Sequence, residues 1–164
     1  MFPEKLDKNN VAFGAKETFQ VLDALNYVMF EEKGFRGNTT NYYNPNNSFI
    51  DKVLETRQGI PITLCILYSL IAERLGIILD PINFPRHFLL RWKTPNDQYD
   101  CFYIDAFQKG KRLSEAEVKD MDEENTSVYV AAEPIEVSLS FMHNSLNRLD
   151  ADNPWQFINF NATS

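Results

Sequence analysis

Gly59-Ile60-Pro61-Ile62-Thr63-Leu64-Cys65-Ile66-Leu67-Tyr68-Ser69-Leu70-Ile71-Ala72-Glu73-Arg74-Leu75-Gly76 is the stretch on which the architecture turns. Pro61 stands where a helix would begin, a position at which its missing N–H costs nothing, and Gly76 is placed to end that helix. Between them Ile62, Leu64, Ile66, Leu67, Leu70 and Ile71 leave no polar face. A helix over 61–75 that is apolar nearly all round is buried on several sides, which makes it the core helix of the domain. The apolar run 60–72 is too short to cross a bilayer and is interrupted by Thr63 and Ser69.

Upstream, Phe19, Leu22, Leu25, Val28 and Met29 recur at helical spacing and predict a helix over 15–33, with Gly34 as its left-handed cap. The stretch 38–47 follows, with Asn38, Asn41, Asn44, Asn46 and Asn47 around one proline. Asparagine side chains imitate backbone turns, so this is an ordered loop, and Tyr42-Tyr43 suggest that it packs down. Ser48-Phe49-Ile50-Asp51 reads as a capping box, Ile50, Val53 and Leu54 share an apolar face, and Gly59 is placed to stop that helix.

Downstream, strands are predicted over 87–92 and 99–106, joined by Thr94-Pro95-Asn96-Asp97 as a hairpin turn. Ser114-Glu115-Ala116-Glu117 is a second capping box opening a short acidic helix, whose run from Glu115 to Glu124 is a solvated face. A last helix is expected to start near Pro134 with Ile135, Leu139, Met142 and Leu146 inward and His143 outward. Residues 153–164 read as a linker or the stub of a next segment, with Trp155, Phe157 and Phe160 as packed tail or a severed interface.

The 164 residues suit a single domain over 1–164, one that buries roughly two-thirds of the surface of its unfolded chain. With 44% hydrophobic and 24% charged residues the composition is globular. A net charge of −7 excludes phosphate-backbone binding as the main business and argues against an electrostatic membrane anchor, so neither nucleic acid nor membrane is an expected partner. Cys65, Cys101, His87 and His143 do not show structural-zinc spacing, and neither GxGxxG nor a P-loop occurs, so no metal and no cofactor is expected. Met1-Phe2-Pro3-Glu4-Lys5 opens no signal peptide, and a cytoplasmic or nuclear location with reduced thiols is the expectation.

One geometric deduction bears on chemistry. A turn centred on 95–97 would set Arg91 opposite Cys101, Leu89 opposite Tyr103 and His87 opposite Asp105. Facing residues lie about 5 Å apart, so Asp105 could fix the His87 tautomer, which is the base-and-orienter half of a triad. A slip of one residue would separate them. A thiol nucleophile belongs at a helix N-terminus, but Ile60-Pro61-Ile62 offers none, and Cys65 lies roughly 6 Å deeper among apolar neighbours. The plainer alternatives are that His87 ties the hairpin mouth to 83–85, that Arg57 and Arg91 pair internally, and that Asn38, Asn47 and Asn83 clamp loops. Cys101 reads as core.

Several motifs carry a resemblance. They are Asn44-Pro45-x-Asn47-Ser48, Val53-Leu54-x-x-Arg57-x-Gly59-Ile60-Pro61-Ile62-Thr63-Leu64, Leu75-Gly76 and Asn83-Phe84-Pro85-x-His87-Phe88-Leu89-Leu90-Arg91. Together they resemble the SirB-type transglutaminase-like domain from about Phe19 to Leu146. Gly34-Phe35-x-Gly37-Asn38, Tyr42-Tyr43 and Tyr103-Ile104-Asp105-Ala106-Phe107-x-Lys109-Gly110-Lys111 are closer to the form carried at the centre of an F-box protein.

The resemblance implies an α+β, papain/transglutaminase-like fold, with a buried core helix and further helices packed on a small antiparallel sheet. It matches His87 and Asp105 to triad positions and sets Pro61 at or beside the nucleophile, leaving Cys65, His87 and Asp105 as triad remnants. Asn47, Arg57, Pro61, Asn83 and Arg91 are the binding candidates. It implies a segment excised from a longer F-box protein, whose partners are protein substrates for ubiquitination and, through a missing F-box, the components of an SCF-type ligase.

Three functions remain open at this level. The first is a non-catalytic protein-binding domain in the substrate-recognition subunit of such a ligase. The second is a hydrolase or acyltransferase using Cys65-His87-Asp105, and the third is a spacer that orients flanking modules.

Overall fold

A computed structural model describes residues 14–84, 87–92 and 102–123. Helix α3, Pro61–Arg74, is enclosed as its composition requires: Leu64, Cys65, Ile66, Tyr68 and Ala72 are essentially inaccessible to water. Gly76, at φ 86°, follows its end in the left-handed region. Its N-terminus is tied by Thr63, whose hydroxyl accepts the Ile60 N–H at 3.1 Å and donates to the Asn47 carbonyl at 2.8 Å.

Helix α1 is Ala15–Asn26, with Thr18, Leu22 and Leu25 buried. The spacing predicts one α-helix over 15–33, but the chain widens into a π-helical turn over Tyr27–Glu32, closed by Lys33 N–H to Val28 C=O at 2.9 Å. The extra residue per turn lets the sequence neighbours Met29 and Phe30 both face the core, where Phe30 stacks on Tyr68 at 6.1 Å. Gly34, at φ 72°, then reverses the chain.

Strand β1, Arg36–Gly37, pairs in parallel with β2, Gln58–Gly59. A 3-10 turn over Pro45–Ser48 and helix α2, Ile50–Thr56, lie between them. Two expectations fail here. Ser48 does not cap α2: Phe49 holds that position without a side-chain bond, because Ser48 is still inside the 3-10 turn. Gly59 does not stop α2 either. Arg57 takes the left-handed turn at φ 61°, its guanidinium 4.7 Å over the Phe35 ring, and Gly59 joins the strand pair.

The main sheet has the order β3-β4-β5-β6, all antiparallel: β3 Asp80–Phe84, β4 His87–Trp92, β5 Phe102–Asp105 and β6 Lys111–Ser114. Strands β3 and β6 were not legible in the sequence, being short, with Pro81 and Asn83 interrupting one and charged Lys111 and Arg112 opening the other. Phe88, Leu90, Trp92, Phe102 and Ile104 join the α3 core on one face. Leu89 and Leu113 meet Val118 of α4, Glu115–Glu123, on the other. The second capping box does form. Ser114 N–H and its hydroxyl donate to Glu117 Oε2 at 2.7 and 2.8 Å, and these two bonds hold the Glu117 carboxyl below its ordinary pKa.

The β4–β5 register also differs from the expectation. Leu90 faces Ile104, Arg91 faces Tyr103 and Trp92 faces Phe102, a displacement of two residues from the predicted pairing. An even slip preserves the side-chain faces, so His87 and Asp105 still share one. The predicted turn at 94–97, Cys101, the helix near Pro134 with His143, and the 153–164 tail lie outside the described residues.

Asn26 crosslinks three elements: its Nδ2 donates to the Gly110 carbonyl at 3.2 Å, and its Oδ1 accepts the Tyr68 hydroxyl at 2.8 Å. Gly110, at φ +74°, has no room for a Cβ, which would overlap the Asn26 carboxamide. Gly34, at φ +72°, faces open space. Gly34→Ala should therefore lower unfolding free energy by about 1 kcal/mol, through backbone strain alone. Gly110→Ala should cost about 2–3 kcal/mol, strain plus loss of the crosslink. Urea unfolding of the two variants checks the difference.

Candidate functional site

His87 opens β4 and Asp105 closes β5, so both stand at one end of the sheet. Asp105 is 2% exposed and its carboxylate is largely committed to the backbone. Its Oδ1 accepts the Phe107 N–H at 2.9 Å and the Gln108 N–H at 3.1 Å, while its own carbonyl accepts the Gly110 N–H at 2.9 Å. It is thus the organising residue of the β5–β6 turn. The other oxygen, Oδ2, lies 4.0 Å from His87 Nδ1, within ion-pair range but beyond hydrogen-bond range. The imidazole is about a third open to water, at 37%.

Cys65 lies one turn into α3 and is fully enclosed. Its Sγ donates to the Phe88 carbonyl at 3.2 Å, beneath β4. Burial pushes the thiol from 9.0 up to about 12; a backbone bond from Ala106 opposes this, and the Asp105 charge adds to it. A thiolate is the nucleophile in cysteine chemistry, and this environment disfavours that form near neutral pH. Pro61 is the first residue of α3 and Ile60 its cap, so the helix end presents no nucleophilic side chain.

The remaining candidates are dispersed. Asn47 and Asn38 are buried and bond each other, Asn38 Nδ2 to Asn47 Oδ1 at 3.0 Å, and the Asn47 amide donates to the carbonyls of Asn41 and Tyr42. Arg91 pairs with Asp80 across β3–β4 at 3.3 Å. Arg57 stacks on Phe35. Asn83, expected to clamp a loop, is instead an exposed strand residue facing Phe88, because its segment forms β3.

Sequence reasoning missed Phe107. Its ring rests on Gly37, where any Cβ would overlap it, and meets Tyr42 edge-on at 6.3 Å. Gly37 and Phe107 both stand in the motifs that carry the resemblance, but nothing in those motifs pairs two positions so far apart in the chain. Tyr43 was expected to pack down, yet it is 93% exposed, because the loop is held by its asparagines and not by that ring. Among the described residues there is no group of three His, Cys, Asp or Glu able to hold a metal ion, and no helix long and apolar enough to cross a membrane.

Residues 4–148 match the family model described as the Transglutaminase-like superfamily. F-box only protein 21 from Homo sapiens is 50% identical over 100 residues, and that from Mus musculus 49% identical over 100. Each alignment covers 58% of this chain and 16% of the relative, so the chain spans about one-sixth of those proteins. A UPF0162 protein of Xylella fastidiosa (strain Temecula1) is 39% identical over 97 residues, covering 59% of this chain and 34% of that protein. No solved structure matches.

Two measurements test this geometry. In a Cys101→Ser background, Cys65 should resist iodoacetamide at neutral pH until the protein is unfolded. Because the folded thiol titrates above its ordinary value, its share of stability is complete below about pH 9 and is lost as pH rises towards 12. Cys65→Ser should flatten that alkaline slope in denaturation midpoints. Asp105→Ala, which removes the charged acceptor of the Phe107 and Gln108 N–H groups, should cost about 2–3 kcal/mol, whereas His87→Ala should cost under about 1 kcal/mol. Equal losses would mean that the imidazole–carboxylate contact, and not the turn, is what Asp105 serves.

Proposed function

The chain belongs to the Transglutaminase-like superfamily, and from that premise we propose that this member is a non-catalytic protein-binding domain serving the substrate-recognition subunit of an SCF-type ubiquitin ligase. The observation that carries the reading is the state of the sulfur. Cys65 is sealed from water, hydrogen-bonded to a backbone carbonyl and held protonated, while the open end of α3 carries Pro61. A general base without an accessible nucleophile has no proton to take and no attack to assist.

The ligase context rests on the likeness to F-box only protein 21, over 58% of this chain. Its partners in that role are proteins destined for ubiquitination and the other ligase components, in the cytoplasm or nucleus. His87 and Asp105 then serve the shape of the sheet end and its turn. Asn47 and Pro61 set the approach of the loop to α3, and Arg57, Asn83 and Arg91 form part of the surrounding surface.

Complementation of the whole protein tests the reading. In cells lacking it, proteins that it recognises for ubiquitination should accumulate. Cys65→Ser and His87→Ala versions, once shown to be folded, should restore turnover to within about twofold of the natural protein. Failure of both, with folding intact, would favour chemistry at Cys65-His87 and overturn the binding role.

A further inference from the structure

Pro81 fixes which edge of β4 faces which neighbour. In an antiparallel pair of strands, residues that exchange two backbone bonds alternate with residues that exchange none. Pro81 stands opposite Leu90 and has no N–H to exchange. The bonded pairs of β3 and β4 are therefore Asp80–Arg91, Ile82–Leu89 and Phe84–His87. Leu90 and its alternates Phe88 and Trp92 then direct their N–H and C=O groups the other way, towards β5. There Trp92 faces Phe102 and Leu90 faces Ile104. Carried two residues further, this register sets Phe88 opposite Ala106, and the next rung of the ladder would run from the Ala106 N–H to the Phe88 carbonyl.

That rung is not made. The β4–β5 pairing ends at Leu90–Ile104, and the Phe88 carbonyl instead accepts the Cys65 thiol at 3.2 Å. The Ala106 N–H bonds the same sulfur. Both ends of the missing bond thus go to one atom. Phe88 and Ala106 are buried, so backbone groups left open there have to be satisfied from within the protein. A thiol can do this, because it has one hydrogen to give and lone pairs with which to accept.

The substitution is neutral in bonds but not in space. A direct rung spans about 2.9 Å from nitrogen to oxygen, whereas here a whole sulfur atom lies between the two. The sulfur is carried by the enclosed helix α3 and cannot leave the gap unless the helix moves. The opening falls directly beside the two side chains at the end of the sheet, since Phe88 follows His87 and Ala106 follows Asp105. Those side chains share a face and stop 4.0 Å apart, short of a hydrogen bond.

We infer that the Cys65 thiol is a wedge in the sheet: it replaces the Ala106–Phe88 rung, holds the ends of β4 and β5 apart and keeps His87 out of hydrogen-bond reach of Asp105. Cys65 is on this reading a positioning residue for the sheet end. The role is separate from nucleophilic chemistry and from whatever the domain binds.

NMR scalar coupling across a hydrogen bond, measured between the Ala106 amide nitrogen and the Phe88 carbonyl carbon, reads the rung directly. In the full chain with Cys65 in place and Cys101→Ser as background, that coupling should be absent. Cys65→Ala removes the wedge without adding a polar group, and the coupling should then appear. The Hα protons of Leu89 and Asp105 should come into contact as the strands close. At a pH where the ring is neutral, the His87 imidazole should shift towards its Nδ1–H form as it bonds Asp105.

A coupling already present with Cys65 in place would overturn the inference. So would a folded Cys65→Ala protein whose rung stays open, or one that closes with His87 unchanged. If Cys65→Ala does not fold, the infrared S–H stretch of Cys65 decides. Displaced below that of a free thiol, with the coupling absent, it upholds the wedge; at the free-thiol position it overturns it.

Discussion

Helix α3 is apolar nearly all round, and the neighbouring elements bury it from Thr63 to Tyr68 and at Ala72. The sheet closes one side through Phe88, Leu90 and Ile104, and α1 with its π-helical turn brings in Leu22, Leu25, Met29 and Phe30. Removing this much apolar surface from water is the dominant favourable term available to a chain of this size. The cost is chemical. A sulfur one turn into such a helix is enclosed with everything else, and Cys65 loses both access and acidity for the reason that makes the domain stable.

The polar contacts act as ties between the pieces that cover α3. Thr63 joins the helix start to the asparagine loop, Asn26 joins α1 to Tyr68 and to the β5–β6 turn, and Asp105 shapes that turn from within. Each buries few polar atoms and satisfies nearly all of them, which is the condition under which a buried polar group stabilises rather than costs. Asp105 works within its own turn. Its carboxylate caps two backbone amides and only approaches the imidazole.

These ties also decide what the surface offers. Asn38 and Asn47 are buried in holding their loop, whereas Tyr42 and Tyr43 beside them are exposed.

Local chemistry was enough to read α3 from Pro61 onward, the left-handed turns at Gly34 and Gly76, the Ser114–Glu117 cap, and the shared face of His87 and Asp105. Those features depend on residues within a turn or two, or on the two-residue period of a strand. Tertiary structure decided the rest. Whether 15–33 stayed α-helical depended on which of Met29 and Phe30 the core would accept, and it accepted both. Whether Ser48 capped a helix depended on where the 3-10 turn ended, and the hairpin register depended on pairing that no single strand specifies. The seating of Phe107 on Gly37 joins residues seventy positions apart, and only packing brings them together.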